Sequence, residues 1–196
     1  MNIGLVLSGG GARGAAHIGA IKALEEHKIF PTHIAGTSAG AIVGALYAGG
    51  VNWSEILNFF KTTAIFHTNR YARNKPGLIN TEKFYNNFKD YLPEDNFNSL
   101  KKTLFITAVN VITGKLKIFH EGELIRPVLA SASFPGVFSP MNINNSYYID
   151  GGTLNNFPVE PLKTYCDQII GVYVNPMRKI KIEDLKHSYH VVERAY

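Results

Sequence analysis

Two glycine-bearing turns dominate the first fifty residues, each following a short apolar run and each leading into a helix-like stretch. Ile3–Leu7 has the length and apolarity of a strand, and Gly9–Gly14 reads as a loop. Ala15–His27 carries Ile18, Ile21 and Leu24 at helical spacing, and Pro31 ends that pattern. His33–Gly36 is a second short strand. Ala39–Ala48 is small and apolar on every side, the pattern of a helix buried all round. Strands joined through helices must run parallel and be covered on both faces. The expectation is an α/β chain, a three-layer α/β/α fold with a mostly parallel central sheet.

Composition narrows the class further. At 196 residues one domain spanning 1–196 is the default, and a chain of that size buries about 70% of its unfolded surface. With 45% hydrophobic and 18% charged residues it is too apolar for a disordered chain. The single cysteine, Cys166, forms no intrachain disulfide and reads as a small buried residue. The longest near-apolar run, Ala39–Val51, holds 13 residues, whereas a membrane span needs about 20. The five-residue apolar stretch at the N-terminus is short for a signal peptide. A soluble, cytoplasmic protein without a transmembrane segment is expected. The formal charge of +5 favours acidic partners, but no zinc-finger spacing or basic stripe points to nucleic acid.

Along the rest of the chain, Trp53–Lys61 and Thr81–Tyr91 read as helices, with a loop or lid over Thr62–Asn80. Leu104–Val111 and Lys115–Phe119, joined by Thr113-Gly114, form a hairpin pattern. Glu123–Ala132 reads as a helix, Tyr147–Ile149 as a strand leading into Asp150-Gly151-Gly152, and Gln168–Val174 as a further strand. The segment from Ile182 looks helical and reaches Tyr196 with no Gly or Pro terminator, which suggests a shortened C-terminal end.

Three motifs sit where strands end. Gly36-Thr37-Ser38-Ala39-Gly40 is G-x-S-x-G between a strand and a buried helix, the setting of a nucleophile elbow. There the serine occupies a sharp turn, the flanking glycines give it room, and the Ala39 amide and the helix end face a developing oxyanion. The same residues also suit a tight turn with Ser38 as a helix N-cap. Gly9-Gly10-Gly11-Ala12-Arg13-Gly14 matches G-x-G-x-x-G, but the second strand ends without the acidic residue that a dinucleotide fold needs. A phosphate-binding Walker loop is excluded because no Gly-Lys-Ser/Thr follows. An oxyanion hole remains, since successive glycines let amides converge on one point; the alternative for the glycines is close strand–helix packing, and Arg13 suits a structural ion pair holding the loop as well as a direct substrate contact. Asp150 ahead of Gly151 and Gly152 is a carboxylate at a strand end, a base or only a turn.

Taken together and in this order, the motifs resemble the patatin-like phospholipase family. Ala130–Pro140 is similar to that family's stretch before its Asp motif, and Asn155-Asn156-Phe157-Pro158-Val159 to the stretch after it. The resemblance runs from about residue 3 to about 175. It implies a patatin-like α/β/α fold and a Ser–Asp dyad, with Ser38 as nucleophile and Asp150 as base. It also implies an oxyanion hole in Gly9–Gly14, with Gly10 and Gly11 the best donors, a lipid or other acyl ester as substrate, and no cofactor or metal.

Other readings stay open. A Ser–His–Asp arrangement could draw on His187, His190 or His17. An acyltransferase or thioesterase with a histidine base would use Arg126 for a substrate carboxylate, and a non-catalytic lipid-binding module could share the fold. Phe59, Phe60, Ile65, Phe66 and Tyr71 could line an acyl groove or fill the core. Arg70, Arg73 and Lys75 could meet a phosphate. Arg178, Lys179, Lys181 and Lys186 could touch an anionic membrane surface, making the protein peripheral there, or simply face solvent.

Overall fold

The computed structural model describes residues 1–63, 81–175, 179–187 and 191. Its seven strands form one mixed sheet with helices around it. In chain order these are β1 (Ile3–Leu7), α1 (Ala15–Glu26), β2 (His33–Gly36), α2 (Ala39–Gly49), α3 (Trp53–Thr62), α4 (Tyr85–Lys89), β3 (Thr103–Asn110), β4 (Lys115–Phe119), α5 (Ile125–Ser131), β5 (Met141–Ile143), β6 (Ser146–Asp150) and β7 (Gln168–Val172). β7, β1, β2 and β3 run parallel, and β4, β5 and β6 add antiparallel pairs at the β3 side.

Side chains alternate between two apolar layers along each parallel strand, as the period of a strand requires. Leu5 and Leu7 of β1, Ile34 of β2, and Leu104, Ile106 and Ala108 of β3 join the large core built with α1, α2, α3 and α5. Val6, Ala35 and Phe105 face the other way, onto Leu162, Phe157, Val159 and half-buried Cys166. That second layer is thin: its cover is the stretch after β6 with a 3-10 turn at Glu160–Leu162. Phe59 and Phe60, candidates for an acyl groove, belong to the large core, where Phe59 meets Phe88 and Tyr91 edge-on. Ile65, Phe66, Arg70, Tyr71, Arg73 and Lys75 lie outside the described residues.

Small residues decide how closely α2 can lie on the sheet. A Cβ on Gly40 would collide with the Leu7 carbonyl, and one on Gly44 would come within 3.1 Å of Ile34 Cγ2. The helix is buried along nearly its whole length, as its composition predicts. The glycine loop differs from the expectation in one respect: Gly11–Gly14 closes into a 3-10 turn that runs straight into α1.

Two features of the topology create a site. Successive elements from β1 to β3 build in one direction with α1 and α2 on one face, whereas β7 returns on the other side of β1 across the opposite face. β1 and β7 therefore flank a switch point, and ligands in open α/β sheets bind outside the strand carboxyl ends at such a point. The second feature lies on β3. β4 takes one edge over Ile106–Asn110; β2 takes the other over Thr103–Ile106, and β6 continues along that same edge over Ala108–Asn110. β2 and β6 thus meet head to head, carboxyl end to carboxyl end.

Candidate active site

Ser38 lies two positions past Gly36, the end of β2, and takes a positive φ of 54° with ψ −122°, a costly conformation for a residue with a side chain. The flanking glycines make this turn possible. A Cβ on Gly36 would come to 2.5 Å from the Gly40 carbonyl oxygen, and Gly40 lies against the Leu7 carbonyl. The turn is tied down at its other polar groups. Thr37 donates its amide to Leu7 O at 3.2 Å and its hydroxyl to Asn155 O at 3.0 Å, and that hydroxyl pairs with Thr107 Oγ1 at 2.6 Å. Ser38 donates its own amide to Ser131 Oγ at 2.8 Å. Ser38 remains partly exposed.

Asp150 ends β6 opposite Ala108, two positions along β3 from the Gly36–Ile106 pair. At strand rise that separates the two chain ends by about 7 Å along the sheet, which side chains span. Asp150 is 1% exposed. Its Oδ1 accepts the Gly152 amide at 2.8 Å, and its own amide donates to Ser133 O at 3.0 Å. Gly151 has no room for a side chain, because a Cβ there would strike the Thr107 carbonyl. Burial pushes the Asp150 carboxyl from 3.8 up to about 7, against the opposing pull of the Ser38 hydroxyl and the Gly152 amide. The hydroxyl approaches more loosely than that amide: Oδ2 has no hydrogen-bond partner among the described residues. The pair is adjacent and open.

Beside Ser38 lies the glycine loop. Ser8, which leads into it, and Gly9, its first residue, are fully committed. Ser8 donates its amide to Val172 O at 3.2 Å, its carbonyl bonds His17 Nε2 at 2.8 Å, and its hydroxyl accepts the Val174 amide at 3.1 Å. Gly9 donates to Asn156 O at 3.1 Å and accepts from Asn175 Nδ2 at 2.8 Å. Arg13 donates its amide to Gly10 O at 3.0 Å. These bonds narrow the expected oxyanion hole, because the amides of Gly9 and Arg13 are already spent inside the fold. Gly14 is buried against Ala39 Cβ. The amides of Gly10, Gly11 and Ala12 have no acceptor among the described residues, nor does that of Ala39 at the start of α2. Gly11 takes φ +53°, which only glycine adopts easily.

The histidine alternatives fare differently. His17 is buried, faces the Ser8 carbonyl, and is held neutral by burial, which lowers its pKa. His187 is exposed, and His190 lies outside the described residues. Arg126 spends its charge on Glu82 at 3.2 Å and Glu123 at 2.5 Å and lies over the Tyr85 ring. Lys179, Lys181 and Lys186 are exposed, and Arg178 lies outside the described residues. Among the described residues no cluster of His, Cys, Asp and Glu could hold a metal ion, and no helix is long and apolar enough to cross a membrane.

Ser131 and Ser133 are additions to the site. The sequence marked their stretch only by resemblance, yet the end of α5 and the turn after it hold the backbones of both Ser38 and Asp150.

Strand–elbow–helix architecture, a carboxylate arriving from an antiparallel strand, and free glycine amides define a patatin-like fold. The family model for patatin-like phospholipase matches residues 5–163, and the chain belongs to that family. An uncharacterized NTE family protein of Mycobacterium bovis is 31% identical over 179 residues, covering 88% of this chain and 49% of the relative. Lysophospholipase NTE1 of Yarrowia lipolytica is 33% identical over 171 residues, covering 82% of this chain and 12% of the relative. The chain therefore spans half or less of these relatives' length. Among solved structures, VipD from Legionella pneumophila superposes with a TM-score of 0.65 at 19% identity over 80% of this chain and 47% of that chain. The type III effector ExoU superposes at 0.53 and 17% identity over 99% of this chain and 51% of that chain. Both share the fold.

Proposed function

We propose that this protein is a serine acyl hydrolase that cleaves acyl esters of lipids, lysophospholipids or phospholipids among them, through a Ser38–Asp150 dyad. The observation that carries the reading is a buried carboxyl raised to about 7 beside the hydroxyl of a strained elbow serine. A carboxylate is an effective base when its pKa lies near the working pH, and burial supplies that match here. Membership of the patatin-like phospholipase family and similarity to a yeast lysophospholipase support the lipid class of substrate.

Ser38 Oγ attacks the ester carbonyl carbon while Asp150 accepts its proton, Oδ2 being the unpartnered oxygen. The carbonyl oxygen becomes an oxyanion facing the amides of Gly10 and Gly11, a contact of the kind whose loss costs about 2.7–4 kcal/mol in other serine hydrolases. The intermediate collapses, the carbon–oxygen bond to the alcohol breaks, and that alcohol leaves with the proton from Asp150. Water then attacks the acyl carbon while Asp150 takes its proton; the bond from that carbon to Ser38 Oγ breaks, Asp150 returns the proton to Oγ, and the free acid leaves.

The deciding experiment compares wild type and Ser38→Ala on a short acyl ester, a lysophospholipid and a diacyl phospholipid, with fluorophosphonate labelling in parallel. Labelling and turnover that vanish together in Ser38→Ala support the reading. Equal turnover by both proteins refutes it, and no labelling of either favours a lipid-binding module without catalysis.

A further inference from the structure

The β3–β4 hairpin does something a turn seldom does: it presents apolar side chains to water. Turn positions ordinarily carry Gly, Asn, Asp, Ser or Pro. Here the tip reads Val111-Ile112-Thr113-Gly114, with Ile112 76% and Val111 44% exposed. Beside them Tyr147, 45% exposed, is the second residue of β6, and its carbonyl accepts the Val111 amide at 2.8 Å.

This tip is rigid. Asn110 Oδ1 accepts the amides of Ile112 and Thr113 at 3.0 and 3.1 Å, and Asn110 O accepts that of Gly114 at 2.8 Å. Gly114 closes the turn at φ +67°. Exposed apolar groups already held in place lose little conformational entropy when they enter another medium.

Its position matters as much as its chemistry. Ala108 is level with Asp150, so Val111 lies three residues, about 10 Å at strand rise, further out along β3. β3 points toward the carboxyl ends of β1 and β2, where Ser38 and the glycine loop stand. The hairpin therefore projects past the level of Ser38 and Asp150, beyond the strand carboxyl ends where ligands of open α/β sheets bind. Charge points the same way. Lys115 and Lys117 alternate along β4 and are both exposed. No Asp or Glu occurs between Asp95 and Glu121, nor between Glu123 and Asp150, so the β3–β4 hairpin carries no acidic residue and the β5–β6 hairpin has only the buried Asp150 at its inner end.

We propose that the β3–β4 hairpin tip is a membrane-docking element, with Val111 and Ile112 entering the interfacial region of an anionic bilayer, Tyr147 at the headgroup level, and Lys115 and Lys117 on lipid phosphates. Apolar area and basic residues contribute together to such binding, and aromatic residues with a polar tip suit the interface. The inference builds on the lipid-hydrolase reading, but vesicle partitioning measures it without any turnover.

The test is co-sedimentation with vesicles of phosphatidylcholine alone and of three parts phosphatidylcholine to one part phosphatidylglycerol. Wild type is expected to prefer the anionic vesicles. Ile112→Asp lowers partitioning at least tenfold, Ile112→Trp raises it, and Lys115→Glu with Lys117→Glu removes the preference for anionic lipid. All variants keep wild-type turnover of a soluble short-chain ester and an unchanged melting midpoint. Wild-type partitioning by Ile112→Asp, or no partitioning by wild type, overturns the proposal. Binding of a protein partner that depends on Ile112 while vesicles are ignored overturns it also. A wild type that docks but hydrolyses no ester leaves docking standing and removes the hydrolase reading instead.

Discussion

Gly36 and Asp150 end two strands that approach each other carboxyl end to carboxyl end on a single edge of β3, at the levels of Ile106 and Ala108. Residues more than a hundred positions apart in the chain are thereby set about two residue steps apart in the sheet. Ser38, two positions past Gly36, brings its hydroxyl beside the Asp150 carboxyl at the interval left between the strands.

The first prediction concerns the strained backbone. Ser38 holds φ 54° with a Cβ in place, and such conformations cost on the order of 1–3 kcal/mol. Ser38→Gly is expected to raise stability by an amount in that range while abolishing ester turnover. Chemical denaturation beside an ester assay reads both. A Ser38→Gly protein less stable than wild type would show that the elbow is not strained.

The second concerns pH. The folded Asp150 carboxyl sits near 7 and the unfolded one near 3.8, so between these values the folded state holds a proton that the unfolded state has lost. Stability therefore falls as pH rises through this window, by on the order of 4 kcal/mol when complete. Asp150→Asn, which cannot ionise, should flatten the decline and be the more stable protein above neutral pH. The base must be ionised to act, so kcat/KM of wild type should rise across an acid limb centred near pH 7. Denaturation midpoints and rates at a series of pH values check both statements.

Ser131 supplies the third. Its hydroxyl is the acceptor for the Ser38 amide, and Ser131 is buried. Ser131→Ala leaves that amide without its partner, with an expected stability cost of about 1–3 kcal/mol. Because the unpaired amide belongs to the elbow, kcat should fall while KM for a soluble ester changes little. Unchanged kcat would mean that the elbow keeps its shape unaided.

Two glycines give the fourth, as a contrast. Gly40 lies against the Leu7 carbonyl, and Gly40→Ala must push α2 off the sheet, at about 3 kcal/mol. Gly19 lies within α1 with nothing near the place its Cβ would occupy, so Gly19→Ala should stabilise by about 0.5–1 kcal/mol. Thermal melts of the two variants should move in opposite directions.

Local signals made much of this architecture legible. Ile3–Leu7 and His33–Gly36 are strands as read, and the all-apolar Ala39–Ala48 run is buried on every side, because burial on both faces leaves a continuous apolar run in the sequence. The β5–β6 hairpin went unread, although Asn144-Asn145 was its signal: both residues take positive φ, 49° and 61°, as a two-residue hairpin turn demands. The glycine motif announced converging amides but not which ones stay free. That depends on Asn156 and Asn175, which come from the far end of the chain to occupy Gly9. Ser131 was illegible as a partner of Ser38 for the same reason, since no local pattern reports a bond across 93 residues.

The seat shared by Ser38 and Asp150 has a lasting consequence. One short stretch, Ser131–Ser133, grips the main chain of both. The gap between the Ser38 and Asp150 main chains is thus gauged by a single short piece, like the jaws of one calliper. Insertions elsewhere around the mouth can reshape what enters while leaving that gap untouched. A displacement of this stretch would carry both partners together, keeping their spacing while shifting them against the Gly10 and Gly11 amides.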